Sequence, residues 1–348
     1  MKKLIALILT LTLLASLTGC VGTTVVIGEC TCPAGSHTEP EPVVPSEGAL
    51  KTGLSVSVNI ADSTSATADA VGAAKYDVTL AAVTVDDKGV IVSCVIDSIP
   101  ATVNFDATGA ITSDVNANVL TKNELGENYG MVAWGGAIAE WDEQVAAVAK
   151  YAEGKTIEQL KNGDIDMTTG KAKDGTDLSS SATIYLAGYV YAIEAAVKNA
   201  KHLGAQAGDE LVLATLNNTK SSTAGNAQLD ADITVLTRKD GKITSCYIDS
   251  VQAKIAFDAT GTITTDLSAG VKTKNELGEG YGMKAWGGAI AEWNEQAASF
   301  AAYVTGKTAA EVAGIAVTES TKPADADLSA SVTIAIGGFQ ALIAKAMQ

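Results

Sequence analysis

Histidine and arginine are almost missing from this chain of 348 residues: His37, His202 and Arg238 are the full complement. So little imidazole argues against histidine-ligated metal, haem ligation and histidine-based catalysis. Cysteine is scarce as well, and five in a chain of this length cannot form a disulfide scaffold. Cations are outnumbered, with 24 Lys and Arg against 40 Asp and Glu and a net charge of −16. Nucleic-acid binding needs clustered cations, so no nucleic-acid partner is expected. Aromatic residues make up only 5% of the chain, and four of its six prolines (Pro33, Pro40, Pro42 and Pro45) crowd into one stretch. No phosphate loop, dinucleotide fingerprint or zinc-type cysteine pairing occurs, and no metal site is expected.

What is present begins with an export signal. Lys2 and Lys3 precede the apolar run Leu4–Leu14, about the length of a signal-peptide core and too short to span a bilayer. Leu17-Thr18-Gly19-Cys20 follows and resembles a bacterial lipobox, whose cysteine carries lipid and becomes the first residue of the mature chain. Residues 1–19 are thus expected to be a lipoprotein signal peptide, and Cys20 a lipid anchor on the extracytoplasmic face of the cell membrane. Cleavage removes two lysines and no acid, leaving a net charge of −18. Residues 20–50 read as an extended, proline-rich tether. Within it Cys30-Thr31-Cys32 has no second cysteine pair to accompany it, so a tether disulfide, within or between chains, is the reading preferred to a metal or redox site.

The dominant feature is a duplication. Lys122–Gln144 and Lys274–Gln296 agree at 20 of 23 positions, at an offset of 152 residues. Cys94-Val-Ile-Asp-Ser matches Cys246-Tyr-Ile-Asp-Ser at the same offset, and Asp177–Thr183 matches Asp327–Thr333 at an offset of 150. A period of that size is a domain and not a solenoid unit. The modules are placed at 51–204 and 205–348, as separate domains of one fold.

Each module opens with β-branched runs separated by turns: Asp77–Val85, Val90–Asp97, Ala101–Phe105 and Ala110–Ser113 in the first. This pattern predicts an antiparallel meander. The turn aspartates lack calcium-loop spacing and are read as turn formers. Apolar residues at Ile138, Trp141, Val145 and Val148 predict a helix from Gly136, stopping near Gly154. Thr156 and Thr308 begin capping-box patterns for a second helix. Ala182–Leu186 reads as a short strand feeding a helix over Tyr189–Ala200. The fold class is therefore α+β, in two tandem copies of a meander followed by helices.

Among candidate residues, Trp141 and Trp293 are assigned to the core, while Trp134 and Trp286 remain open between core packing and stacking on a flat ligand. Glu140, Glu143, Glu292 and Glu295 flank the apolar stripe and are read as solvated. Cys94 and Cys246 are read as small core residues, and His202 as a cation ending a helix.

The Asp177–Thr183 segment and its copy resemble the FMN-binding domain family, found in the C and G subunits of sodium-pumping and Rnf-type redox complexes and in flavinylated lipoproteins. The family motif is D-x-x-S-G-A-T; this chain has D-L-S-S-S-A-T at 177–183 and D-L-S-A-S-V-T at 327–333. Glu124-Leu125-Gly126 and Trp141-Asp-Glu-Gln144 also look like weakened forms of the family's E-T-P-G-L-G and W-x-x-Q segments. The chain departs from the family at the motif glycine, which is Ser181 and Ser331, at Ala330 and Val332, and in lacking the T-P-G step. The resemblance implies FMN joined through a phosphoester to Thr183 or Thr333, with Asp177, Ser180 and Asp327 completing the cofactor-binding set. It further implies a flavin transferase and a membrane redox donor as partners; an electron carrier or binding protein is the reading preferred to a catalyst. The alternative is a non-redox surface binding module on the same fold.

Overall fold

Each strand of the meander alternates between two apolar faces. In β2 (Gly72–Val85), Ala74, Tyr76, Val78, Leu80 and Ala82 point one way, and Ala81, Val83 and Val85 the other, all buried. A strand apolar on both faces must be covered on both. The computed structural model describes residues 48–348 and shows how. The signal peptide, Cys20, Cys30, Cys32 and nearly all of the tether lie outside the described residues.

In the first repeat β1 (Ala49–Asn59), β2 and β3 (Ile91–Phe105) form an antiparallel meander. The runs expected as two strands at 90–97 and 101–105 are one, continuous through Pro100. Proline lacks a donor, but β3 is the sheet edge, where one N–H per pair of residues faces away from the ladder. The expected strand at 110–113 is reduced to a bridge between Phe105 and Ile111. A two-stranded hairpin, β4 (Ile165–Asp166) and β5 (Lys171–Ala172), follows among the helices.

Both repeats carry the same helices. The first has α1 (Lys122–Leu125), α2 (Met131–Gly135), α3 (Trp141–Ala152), α4 (Ile157–Asn162), α5 (Asp177–Ser181) and α6 (Ala187–Asn199). Capping boxes at Thr121 and Thr156 begin α1 and α4, the latter as expected. The tryptophan helix starts at Trp141 and not at Gly136, because Gly136 is left-handed and closes α2. Ala182–Leu186 is not a strand; it is an irregular link between α5 and α6, with a bend at Ile184.

The second repeat begins with β6 (Lys201–Gln206), which pairs with β1 of the first repeat. The seam drawn at 204/205 thus falls inside a strand of the first sheet, whose order is β3-β2-β1-β6. At Gly204, with φ +112, any side chain would strike the Thr244 carbonyl, so glycine permits this crossing. The meander β7 (Glu210–Asn218), β8 (Asn226–Lys239) and β9 (Lys242–Ala256) then repeats the first. Its helices are α7 (Lys274–Leu277), α8 (Met283–Gly287), α9 (Trp293–Val304), α10 (Ala309–Ala313), α11 (Ala326–Ser329) and α12 (Gly337–Ala346). The described chain is thus a mixed α+β structure with antiparallel sheets.

The two sheets pack face to face, with helices on both outer faces, in four layers. Val78, Leu80, Ile99 and Val103 meet Leu229, Ile233, Val251 and Ile255 in one shared core. Phe105 stacks on its counterpart Phe257 at 3.8 Å between ring centres, with planes 7° apart. The turns beside them are reciprocal too: a side chain at Gly109 would meet the Asp258 carbonyl, and one at Gly261 the Asp106 carbonyl, each at 2.7 Å. This is an isologous interface within one chain. Each repeat keeps a second core of its own under its helices, and on the sheet side neither is complete alone. All the described residues belong to one compact unit.

Phe105→Ala should therefore cost about 3–5 kcal/mol, the range for emptying a buried aromatic site. Denaturant unfolding followed by tryptophan fluorescence should show the wild type and the variant each losing both halves in one transition. Two separated transitions would show that the shared core does not couple the repeats.

Candidate functional site

The two segments that resemble the flavin family meet in space. Gln144, on α3, is fully buried; its Oε1 accepts the Thr183 N–H at 2.8 Å, the Ile184 N–H at 3.3 Å and the Thr183 hydroxyl at 3.4 Å. Its Nε2 donates to the Ala139 carbonyl at 2.8 Å, so both ends of the amide are bound. Gln296 repeats the latch with Thr333 at 2.7 Å for the N–H and 3.1 Å for the hydroxyl. Thr183 is exposed, and Thr333 is half-buried. Asp177, Ser180 and Asp327 stand in solvent on the short helices α5 and α11, and the polar contacts of the threonines run to glutamine and not to them. Ser181 and Ser331, at the family's glycine position, are not among the residues with positive φ, so a side chain there strains no backbone.

Ile184 and Tyr185, the two residues after Thr183, line a cleft of about 640 Å³. Tyr129, Trp141, Tyr185, Tyr189 and Tyr191 line it, and Glu276 of the second repeat closes its rim. Trp141 Nε1 donates to the Tyr189 hydroxyl at 2.9 Å, and their rings meet edge to face at 6.0 Å. Burial pushes the Tyr189 phenol up to about 12, so it is neutral and can donate its own proton. The Lys122 ammonium lies 5.0 Å from the Trp141 ring and 5.1 Å from Tyr129.

The second repeat has rebuilt this place. Tyr185, Tyr189, Tyr191 and Ala195 correspond to Ala335, Phe339, Ala341 and Lys345. Phe339 packs against Trp293 and Phe300, at 5.9 and 5.6 Å between ring centres. Lys345 donates to the Thr215 carbonyl at 2.7 Å and pairs with Glu124 of the first repeat. The tyrosines of the first cleft were missed in the sequence reading; their signal was a contrast between copies otherwise alike.

The tryptophan turn departs from expectation. Glu140 and Glu292 are buried, not solvated. Glu140 accepts the N–H groups of Met131 and Val132 at 2.8 and 3.0 Å, serving as the anionic cap of α2, and Glu292 does the same for Met283 and Lys284. Trp141 and Trp293 are in the core as expected, whereas Trp134 and Trp286 are 84% and 83% exposed. Cys94 and Cys246 are buried free thiols, each pushed up to about 12 by burial and so inert. His202 does not end a helix; it lies on β6, with Nε2 3.1 Å from Asp87 Oδ1. Asp106 Oδ1 accepts from Thr108 and Ala110 inside its own turn, and among the described residues no cluster of metal-ligating side chains occurs.

No known protein family, curated protein or solved structure matches this chain.

One pair of groups passed unnoticed inside the repeated Cys-x-x-Asp-Ser segment. Asp97 and Asp249 are buried, and burial raises each to about 6 against the hydrogen bonds that favour the charged form. Asp97 Oδ1 accepts from the Asn123 and Ser98 N–H groups at 3.1 and 2.7 Å, tying α1 to β3. A carboxyl raised on folding contributes stability that is full below its unfolded value near 4 and is lost as pH rises through about 6. Asp97→Asn and Asp249→Asn keep an acceptor without the charge. Between pH 4 and 7 each should gain on the wild type by about 2 kcal/mol in urea unfolding; a pH-independent difference would contradict the assignment.

Proposed function

We propose that this chain is an exported, lipid-anchored carrier of FMN, built on a tandem FMN-binding-like fold and loaded through its first repeat. The observation that carries the reading is an exposed threonine, Thr183, directly preceding Ile184 and Tyr185 in the wall of an aromatic cleft, in the segment that resembles the flavinylation motif. The residues present fit such a group. Thr183, an exposed residue, offers the hydroxyl, which donates a hydrogen bond to Gln144 Oε1. Tyr185 and Trp141 offer flat apolar walls, and Tyr189 a neutral donor. Gly188, exposed in the first turn of α6, lines the same cleft, where helix N-terminal amides favour a phosphate. When bound, FMN would supply electron transfer, with the protein contributing position and electrostatics. The reading requires a flavin transferase, a membrane redox donor and anchoring through Cys20.

A second reading, a non-redox surface binding module, is favoured by the exposed tryptophans Trp134 and Trp286.

Full chain made beside an ApbE-type flavin transferase should carry one FMN per molecule, visible as fluorescence that survives denaturing electrophoresis. Thr183→Ala should abolish the signal, and Thr333→Ala should keep it. Colourless protein of unmodified mass, with a known flavinylated domain labelled in the same cells, would overturn the flavin reading. Cys20→Ser should move the protein from the membrane to the soluble fraction; membrane retention of that variant would remove the lipid anchor from the proposal.

A further inference from the structure

The two meanders differ at one edge. In the first, β1 is covered on its outer side: β6 pairs with Ala49, Lys51 and Thr52, and Asn199 donates to the Leu54 carbonyl at 3.1 Å. In the second, the sheet order β7-β8-β9 leaves β7 with no strand beyond it among the described residues. Lys51 and Glu210 are equivalent, each facing the bulged position of the next strand, Val85 and Arg238. Thr52, Gly53 and Leu54 are buried, whereas their counterparts Leu211, Val212 and Leu213 are all partly exposed.

An uncovered edge strand is a template for pairing, and proteins normally blunt it. The other edges here are blunted. β3 carries Pro100, β6 bears Lys201 and His202, and β6 in turn passes over β9. β7 has no proline, and its single charge is Glu210 at its first residue. Lys345 takes the Thr215 carbonyl at 2.7 Å, so the open stretch is residues 210–214.

The tether leaves the body beside that stretch: the Gly48 carbonyl accepts the Ala207 N–H at 2.9 Å, three residues before Glu210. Residues 23–27, Thr-Thr-Val-Val-Ile, are five β-branched residues in succession, without charge or proline, the one such run in 20–47. The intervening residues 28–47 extend to about 66 Å, ample for a strand that begins three residues from the exit. A linker of this kind holds the run at an effective concentration on the order of millimolar. A second copy, by contrast, must approach against a net charge of −16. We propose that residues 23–27 add to the second sheet as a fourth strand, antiparallel to β7 along 210–214. Backbone hydrogen bonds supply the affinity, and the added side chains cover Leu211, Val212 and Leu213. The docked run begins three residues from Cys20, so a lipid held there stands about 10 Å from the body, against about 90 Å for an extended 20–47. That consequence rests on the lipidation proposed above; the pairing does not.

Hydrogen–deuterium exchange of residues 20–348 carrying Cys20→Ser, under reducing conditions, tests the pairing without lipid or flavin. Val25→Pro removes a donor from the run and lies outside the packed body; Val25→Thr keeps the β-branching. The amides of 211–214 that are not bonded to β8 should exchange on the order of tenfold faster in Val25→Pro than in the parent. Val25→Thr should match the parent, and the rates should not change with protein concentration. Equal exchange in the parent and Val25→Pro would overturn the inference, as would Val25-dependent protection found at β3 or β6 instead. Protection that falls on dilution, with a dimer seen by light scattering, would give the edge to a second copy and overturn it equally.

Discussion

The contact on which the structure depends is the packing of one sheet's inner face against the other's. Both inner faces are apolar from Val78 and Ile233 through to the stacked Phe105 and Phe257, and water must be kept from both. Two repeats related by an internal two-fold satisfy this with a single interface, as an isologous dimer would. Once the inner faces are committed to each other, the helices can cover only the outer faces.

The same packing brings each repeat's α1-type helix to the other repeat's terminal helix. Glu276 closes the rim of the first repeat's cleft, and Glu124 pairs with Lys345 in the second. The two halves have used this equivalent position differently. In the second, a lysine bridges the seam and Phe339 joins an aromatic cluster, which favours stability. In the first, Ala195 and three tyrosines line an open cleft in place of that packing. The tryptophan turns were not divided in this way: both copies keep the glycine support, the buried glutamate cap and the exposed ring.

Much of the local structure was legible from the chain alone. Turn aspartates, capping boxes at Thr156 and Thr308, and core positions for Trp141 and Trp293 follow from interactions a few residues apart, which sequence spacing encodes directly. The duplication was visible as identity, and the α+β class followed from patterning.

What only the tertiary structure decided involves partners far apart in sequence. Spacing assigned Glu140 to solvent, but unpaired amides at the start of α2 draw its carboxylate inward. Pattern gave β2 two apolar faces without naming their covers, and one cover proved to be the other repeat. Gln144 and Thr183 are 39 residues apart, and their latch exists only because α3 and the α5–α6 link fold onto the same sheet. His202 reads as a helix end until β6 is seen pairing with β1. The sequence by itself determined the repeat, the residue types available and those elements whose signals are local, such as the capped helices. Their pairing across the seam was decided by the burial of two faces at once, a condition that no single segment can express.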